Sequence, residues 1–216
     1  MSIERKCPHC GAPLVFKTSI CLLAVCAHCS SLVRRKDLDV EKLGEVAQLQ
    51  PDGTPLQVGA RGKHQGDAFE VVGRVQLATK AGFWNEWSIV FNDGKQGWLG
   101  EAQGTYAVSF PASAPGSVPG FDKLKVGQKL DLGGKTFRVR DLLSAKYLSA
   151  EGELPFRPPL GEEAPSADLI APERKFATLD WSEGPARPLL FIGEYEDFDD
   201  LHFSGLREFE GWKRPG

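Results

Sequence analysis

Two Cys-x-x-Cys pairs, Cys7-Pro8-His9-Cys10 and Cys26-Ala27-His28-Cys29, constrain this chain more tightly than any other feature of its 216 residues. Two residues between cysteines form a knuckle that aims both sulfurs at one point. Two such knuckles complete a tetrahedron of thiolates about 2.3 Å from a zinc ion. Between the pairs, Ala12-Pro13-Leu14-Val15-Phe16 and Ile20-Cys21-Leu22-Leu23-Ala24-Val25 read as short strands that bring the knuckles together. Pro8 pre-sets the first turn, and Gly11 supplies the positive φ needed on leaving it. So small a segment buries too little surface to fold alone. The expected structure is a zinc ribbon over residues 1–36, with one structural Zn²⁺ per chain held by Cys7, Cys10, Cys26 and Cys29. Four thiolates leave no open position for a catalytic water. The rival reading is a redox Cys-x-x-Cys, which usually occurs as one copy at the start of a helix rather than as two facing copies. His9 and His28 are expected to face solvent, and Cys21 to be a small buried apolar residue.

Charge divides the chain. Residues 1–36 carry a net +5 and the remainder a net −8. A basic head on an acidic body points either to an anionic partner or to contact between the two parts. Arg34-Arg35-Lys36, just after the last ligand, is the candidate phosphate-binding run. Without interleaved aromatics it is a weak nucleic-acid footprint. The start of the chain is polar, and its best apolar run, Ile20 to Val25, is far shorter than the roughly 18 residues of a membrane span. Paired cysteines outside a disulfide framework suit a reducing compartment, so the expected location is the cytoplasm, with no transmembrane segment.

A connector over residues 37–55 leads into a repeat. Leu56, Val58, Gly59, Gly66, Phe69 and Val71 recur at an offset of 68 as Leu124, Val126, Gly127, Gly134, Phe137 and Val139. Six identities in a gapless window of sixteen exceed the one or so expected from ordinary composition, so duplication is the natural inference. The first copy, 56–110, continues as alternating segments joined at Asn92-Asp93-Gly94, the pattern of antiparallel strands and a hairpin. Residues 111–123 read as a Pro/Gly/Ser/Ala linker. The second copy, 124–210, is interrupted by an acidic, proline-rich loop at 151–172. The expected fold is mainly β: a zinc ribbon followed by two related small antiparallel β-barrel or β-sandwich domains. The charge break and connector suggest that ribbon and body are separable.

The order of a CPxC…CxxC ribbon, a connector and tandem L-x-V-G…F-x-V units, the first with Trp84-Asn85-Glu86-Trp87 and Gln96-Gly97-Trp98-Leu99, resembles the bacterial family catalogued as domain of unknown function 4178. The resemblance implies a bacterial cytoplasmic protein and brings no established activity or catalytic residues.

Chemistry is sparse elsewhere. No nucleophile elbow, phosphate loop, dinucleotide fingerprint or metalloprotease helix occurs in the sequence. His64, in a polar Gly-rich turn, reads as a surface residue. Glu194, Glu196, Asp197, Asp199 and Asp200 with His202 carry oxygen ligands suited to Mg²⁺ or Ca²⁺ but lack a calcium loop's spacing, and read as a solvated turn. Trp87, Ile89 and Phe91 fall on one strand face, the expected core. Trp84 lies off that phase and, if exposed, is a candidate partner anchor. The expected function is a non-catalytic protein-binding or adaptor module. A nucleic-acid-binding protein using the basic ribbon is second, and an uncharacterised enzyme is third.

Overall fold

A computed structural model of the protein describes residues 3–18, 21, 23–36 and 39–211. In chain order the strands are β1 (Ile3–Lys6), β2 (Pro13–Phe16), β3 (Leu23–Val25), β4 (Ser31–Lys36), β5 (Asp39–Glu45), β6 (Arg61–His64), β7 (Asp67–Thr79) and β8 (Gly82–Phe91). They continue as β9 (Gln96–Ala102), β10 (Thr105–Ala112), β11 (Lys129–Leu132), β12 (Lys135–Leu154), β13 (Glu163–Ile170), β14 (Lys175–Asp180) and β15 (Leu189–Glu196). Apart from a 3-10 turn at Phe121–Lys123, no helix occurs among the described residues. No described helix is long and apolar enough to cross a membrane. The mainly β, antiparallel expectation therefore holds. Of the predicted strand Ile20 to Val25, Ile20 and Leu22 lie outside the described residues, and β3 covers its end.

Alternation sets the register. On β8, Trp87, Ile89 and Phe91 point into one core, 0, 0 and 6% exposed. Asn92-Asp93-Gly94 turns the chain into β9, with Gly94 at φ 88° and the Asp93 carboxylate accepting from Lys95 N at 2.8 Å. Gln103 and Gly104, both at positive φ, make the two-residue turn into β10 that matches the twist of the flanking strands. The L-x-V-G segments are hydrogen-bonded alike. Gly59 N donates to Val71 O and Gly127 N to Val139 O, both at 2.8 Å, and Val71 N to Ala60 O matches Val139 N to Gln128 O.

The two halves join into one body. β7-β8-β9-β10 and β12-β13-β14-β15 each form a meander. β10 pairs with β15 and β7 with β12, so the hydrogen bonding closes into a ring of four strands from each half. Pairing across both seams brings main chains very close. A Cβ on Gly73 would sit 2.0 Å from Glu153 O, and one on Gly193 2.1 Å from Val108 O.

Several boundaries move. The expected connector contains β5, paired with β4, and buries Val46 and Thr54. The expected linker is packed: β10 runs through Ala112, Ala114 is buried in the second half's core, and Arg187 donates to Ala114 O. The expected acidic loop is mostly strand, because β12 continues to Leu154 and β13 occupies Glu163–Ile170. Small residues at Ala164 and Ala167 let this acidic stretch lie against the core. Past β15, Phe198, Leu201 and Phe203 fold back to close the first half's core, while Asp197, Asp199, Asp200 and His202 of the same turn stay exposed.

Candidate metal centre

Two knuckles are built by the same backbone pattern. Cys7 N donates to Ala12 O at 2.8 Å and Gly11 N to Cys7 O at 2.9 Å, while Cys26 N donates to Ser31 O at 2.9 Å and Ser30 N to Cys26 O at 2.8 Å. Gly11 takes φ 76°, as the turn requires, and Ser30 takes φ 54° at the same step of the second knuckle. These bonds close both turns, and the four sulfurs come together. Cys7 Sγ lies 3.7 Å from Cys29 Sγ, and Cys10 Sγ 3.8 Å from Cys26 Sγ. A tetrahedral ion with 2.3 Å sulfur bonds has edges of about 3.8 Å, which these two distances match, and all four sulfurs lie within 4.8 Å of one another, so the cluster can hold a metal ion. The Ser31 hydroxyl, its oxygen 3.3 Å from Cys29 Sγ, holds that thiol down at about 6, whereas burial raises the Cys26 thiol. His9 and His28 are both exposed, as expected, and neither joins the cluster. Cys21 is fully buried, and burial pushes its thiol up to about 11.

The cluster is bonded to the body. β3 pairs with the end of β12 through Val25↔Gly152, Ala24↔Glu153 and Leu23↔Leu154. The Glu153 carboxylate, 4% exposed, accepts from Lys17 N at 2.6 Å and Thr18 N at 3.2 Å. Leu23, Leu32 and Val46 pack in one core with Val75, Leu77 and Leu154 of the ring. These contacts tie the ribbon to the body, where the sequence suggested two separable parts.

The other expected site residues are largely occupied. Arg34 pairs with Glu41. Arg35 lies over the Phe16 ring at 5.3 Å and donates to Thr18 O, while Arg34 and Lys36 are both exposed. Trp84 packs half-buried against the core that Leu77 and Tyr147 share, and its Nε1 donates to Glu86 at 2.9 Å. That internal packing leaves little of the indole to anchor a partner. Trp84→Ala should cost about 2 kcal/mol, below the 3–5 kcal/mol of a fully buried tryptophan, and urea unfolding would measure it. An unchanged midpoint would return Trp84 to the surface.

Two groups escaped sequence reading. Asp52 accepts from Arg74 and Arg207, both at 2.6 Å, and Arg74 also meets Glu151 at 2.8 Å and the Trp87 ring at 4.6 Å. Glu86 faces the interior of the ring with Asp168 and Asp180. Desolvation raises all three carboxyls, Glu86 to about 7. An acid whose folded pKa is raised binds a proton more readily when folded than when unfolded. Its contribution is therefore fully present below about 4.5 and is lost as pH rises toward 7. Glu86→Gln should accordingly raise Tm at pH 8 and leave it nearly unchanged at pH 4.5; an equal gain at both pH values would contradict this.

His64 is buried, at 6% exposed. The expected surface turn is instead the end of β6, where Gly62 and His64 alternate inward. Glu194 and Glu196 turn toward His64 rather than His202, which is exposed. Asp197 pairs with Arg174, which holds its carboxyl below the usual range.

Fold and site together define an all-β protein whose N-terminal cysteine knuckles, able to hold a metal ion, are paired onto a closed ring of antiparallel strands. The family model described as domain of unknown function DUF4178 matches residues 57–198, and the chain belongs to that family. The match spans β6 to β15 and leaves the knuckles outside it. No curated protein and no solved structure matches the chain.

Proposed function

We propose that this protein is a non-catalytic binding module of a bacterial cytoplasmic system, braced by one structural Zn²⁺ on Cys7, Cys10, Cys26 and Cys29, with a protein as its partner. The observation that carries the reading is the four-thiol cluster itself. Its spacing suits a tetrahedral ion whose coordination the protein saturates, which is the form of a structural rather than a catalytic metal. The equivalent hydrogen bonding of the two L-x-V-G segments supports an origin by duplication, in which the shared framework serves folding.

A protein partner is favoured over nucleic acid because several cations of the head are spent on the protein's own groups. Lys17 pairs with Glu70 and Arg34 with Glu41, and Arg35 lies on Phe16. Few charges remain to release counterions from a phosphate backbone, so nucleic-acid binding is weak and salt-sensitive in this reading.

The experiment is metal analysis of the purified chain, followed by capture from native cytoplasm at physiological salt with the wild type and Cys10→Ser. One zinc per chain, lost in the variant together with a retained protein partner, supports the proposal. Captured DNA or RNA that survives physiological salt promotes the nucleic-acid reading, and stoichiometric zinc in Cys10→Ser sinks the metal assignment.

A further inference from the structure

A second group of metal-ligating side chains lies at the seam between the halves, far in sequence from the cysteines. His64 ends β6 of the first half. Glu194 and Glu196 stand two residues apart on β15 of the second, on one face of that strand. One donor atom from each of the three lies within 4.8 Å of the others. We propose that His64, Glu194 and Glu196 form an exchangeable site for a divalent transition-metal ion, separate from the four thiols.

Burial of the imidazole carries the argument beyond a cluster of acids. The His64 side chain is 5% exposed, and its Nδ1 sits 2.8 Å from Glu196 Oε1. The approach lies off the hydrogen-bonding direction, so this buried nitrogen has no hydrogen-bond partner. Nε2 is 3.6 Å from Glu194 Oε1, beyond hydrogen-bond reach. Donors that converge without hydrogen-bonding one another are what an ion-binding shell presents before the ion enters. The 2.8 and 3.6 Å distances run from different ring nitrogens, so an ion takes one nitrogen and one oxygen from each glutamate, atoms already within 4.8 Å of one another. Side-chain rotation closes them to the 3 to 3.6 Å or so between ligands about 2.0–2.2 Å from one ion. The Phe91 and Phe110 rings, with centroids 6.5 and 5.9 Å from that of His64, hold the imidazole in place.

A cleft of about 350 Å³, lined by His64 and Glu194, opens beside the group and leaves room for water or another ligand on the ion. One imidazole nitrogen with two carboxylate oxygens suits Mn²⁺, Co²⁺ or Zn²⁺ and is poorly matched to the soft ions that thiolates select. Lys175 and Gln65 both contact Glu194. The Lys175 ammonium competes with the ion for that carboxylate, which keeps the affinity modest and the ion exchangeable.

The test uses the full chain with its cysteine site filled by zinc, titrated with Mn²⁺ and followed by the loss of the free-ion paramagnetic signal. A hard ion does not displace zinc from thiolates, so Mn²⁺ reports on the second site alone. One saturable equivalent is expected. His64→Gln should abolish it, Glu196→Gln should weaken it at least about tenfold, and Lys175→Met should tighten it. Glu196→Gln with an unchanged melting curve guards against a fold lost in the His64 variant. A purely structural His–Glu contact gives the opposite pattern, with stability altered and no saturable Mn²⁺ binding in any form. That result, or Mn²⁺ binding unchanged in both the His64 and Glu196 variants, overturns the proposal.

Discussion

Stripping the metal from the cysteines should unfold more than the ribbon. With zinc chelated, or with Cys10→Ser, the ring itself is expected to lose about 5 kcal/mol of stability. Three contacts set that figure. Leu23 and Leu32, 6 and 5% exposed, are buried in the core they share with Val75, Leu77 and Leu154, and re-exposing each costs about 1.5–3 kcal/mol. Glu153 would keep its buried place on β12 while losing the two N–H groups of Lys17 and Thr18, and an unsatisfied buried acceptor costs about 1–3 kcal/mol. The strand β3 would also leave the edge of β12 unpaired. Trp87 and Trp181 in the cores of the two halves report the ring, while Trp84 and Trp98, on the core that Leu23 and Leu32 share, report the ribbon's departure. The ring's own stability is therefore read from the tryptophan fluorescence of Trp84→Phe, Trp98→Phe protein. A urea midpoint that is the same with and without metal would show that the knuckles are an appendage after all, as the charge break between residues 1–36 and the rest first suggested.

What the sequence made legible was local. A knuckle is specified by residues within a few positions of each other, so Cys7, Cys10, Cys26 and Cys29 were readable from spacing alone, and the fitted sulfurs follow. Alternation placed Trp87, Ile89 and Phe91 on the core face for the same reason. The ring closure was not legible, because β7–β12 and β10–β15 join segments about 80 residues apart and each seam is licensed by a glycine that looks like any other. His64 was misplaced because Gly62-Lys63-His64-Gln65-Gly66 has the composition of a turn. Its signal lay in alternation, Gly62 and His64 inward with Arg61 and Lys63 outward, a pattern too short to outweigh two glycines. Acids and prolines hid β13 in the same way. Strand pairing satisfied that segment's backbone, and its small residues needed no strong apolar pattern to be buried.

Closure of the ring makes the second large prediction. Gly73→Ala should destabilise the protein by about 3 kcal/mol or more, at the upper end of what overpacking does. Gly73 pairs with Gly152 where β7 crosses β12. A methyl group there would lie 2.0 Å from the carbonyl oxygen of Glu153, 2.8 Å from its carbonyl carbon and 2.9 Å from its nitrogen. All three are main-chain atoms of a hydrogen-bonded strand, so no side chain can swing away, and relief requires β12 to move off β7. Moving it strains the pairing that closes the ring and the β3 contact one residue further along. Gly193→Ala tests the other seam by the same logic, since its methyl would meet Val108 O at 2.1 Å and Ser109 Cα at 2.7 Å. Gly100→Ala is the control. It also lies in a strand of the ring, yet the nearest atoms to its methyl would be the end of the Glu86 side chain, at 3.3 Å, which needs to give by only a few tenths of an ångström. The cost there should stay below about 1 kcal/mol. Two independent barrels sharing a linker would tolerate all three substitutions about equally, because no main chain would need to pass so close between halves. Comparable urea midpoints for Gly73→Ala and Gly100→Ala would therefore break the closed ring into separate barrels, whereas a large loss confined to Gly73 and Gly193 identifies both seams as places where the two halves are one fold.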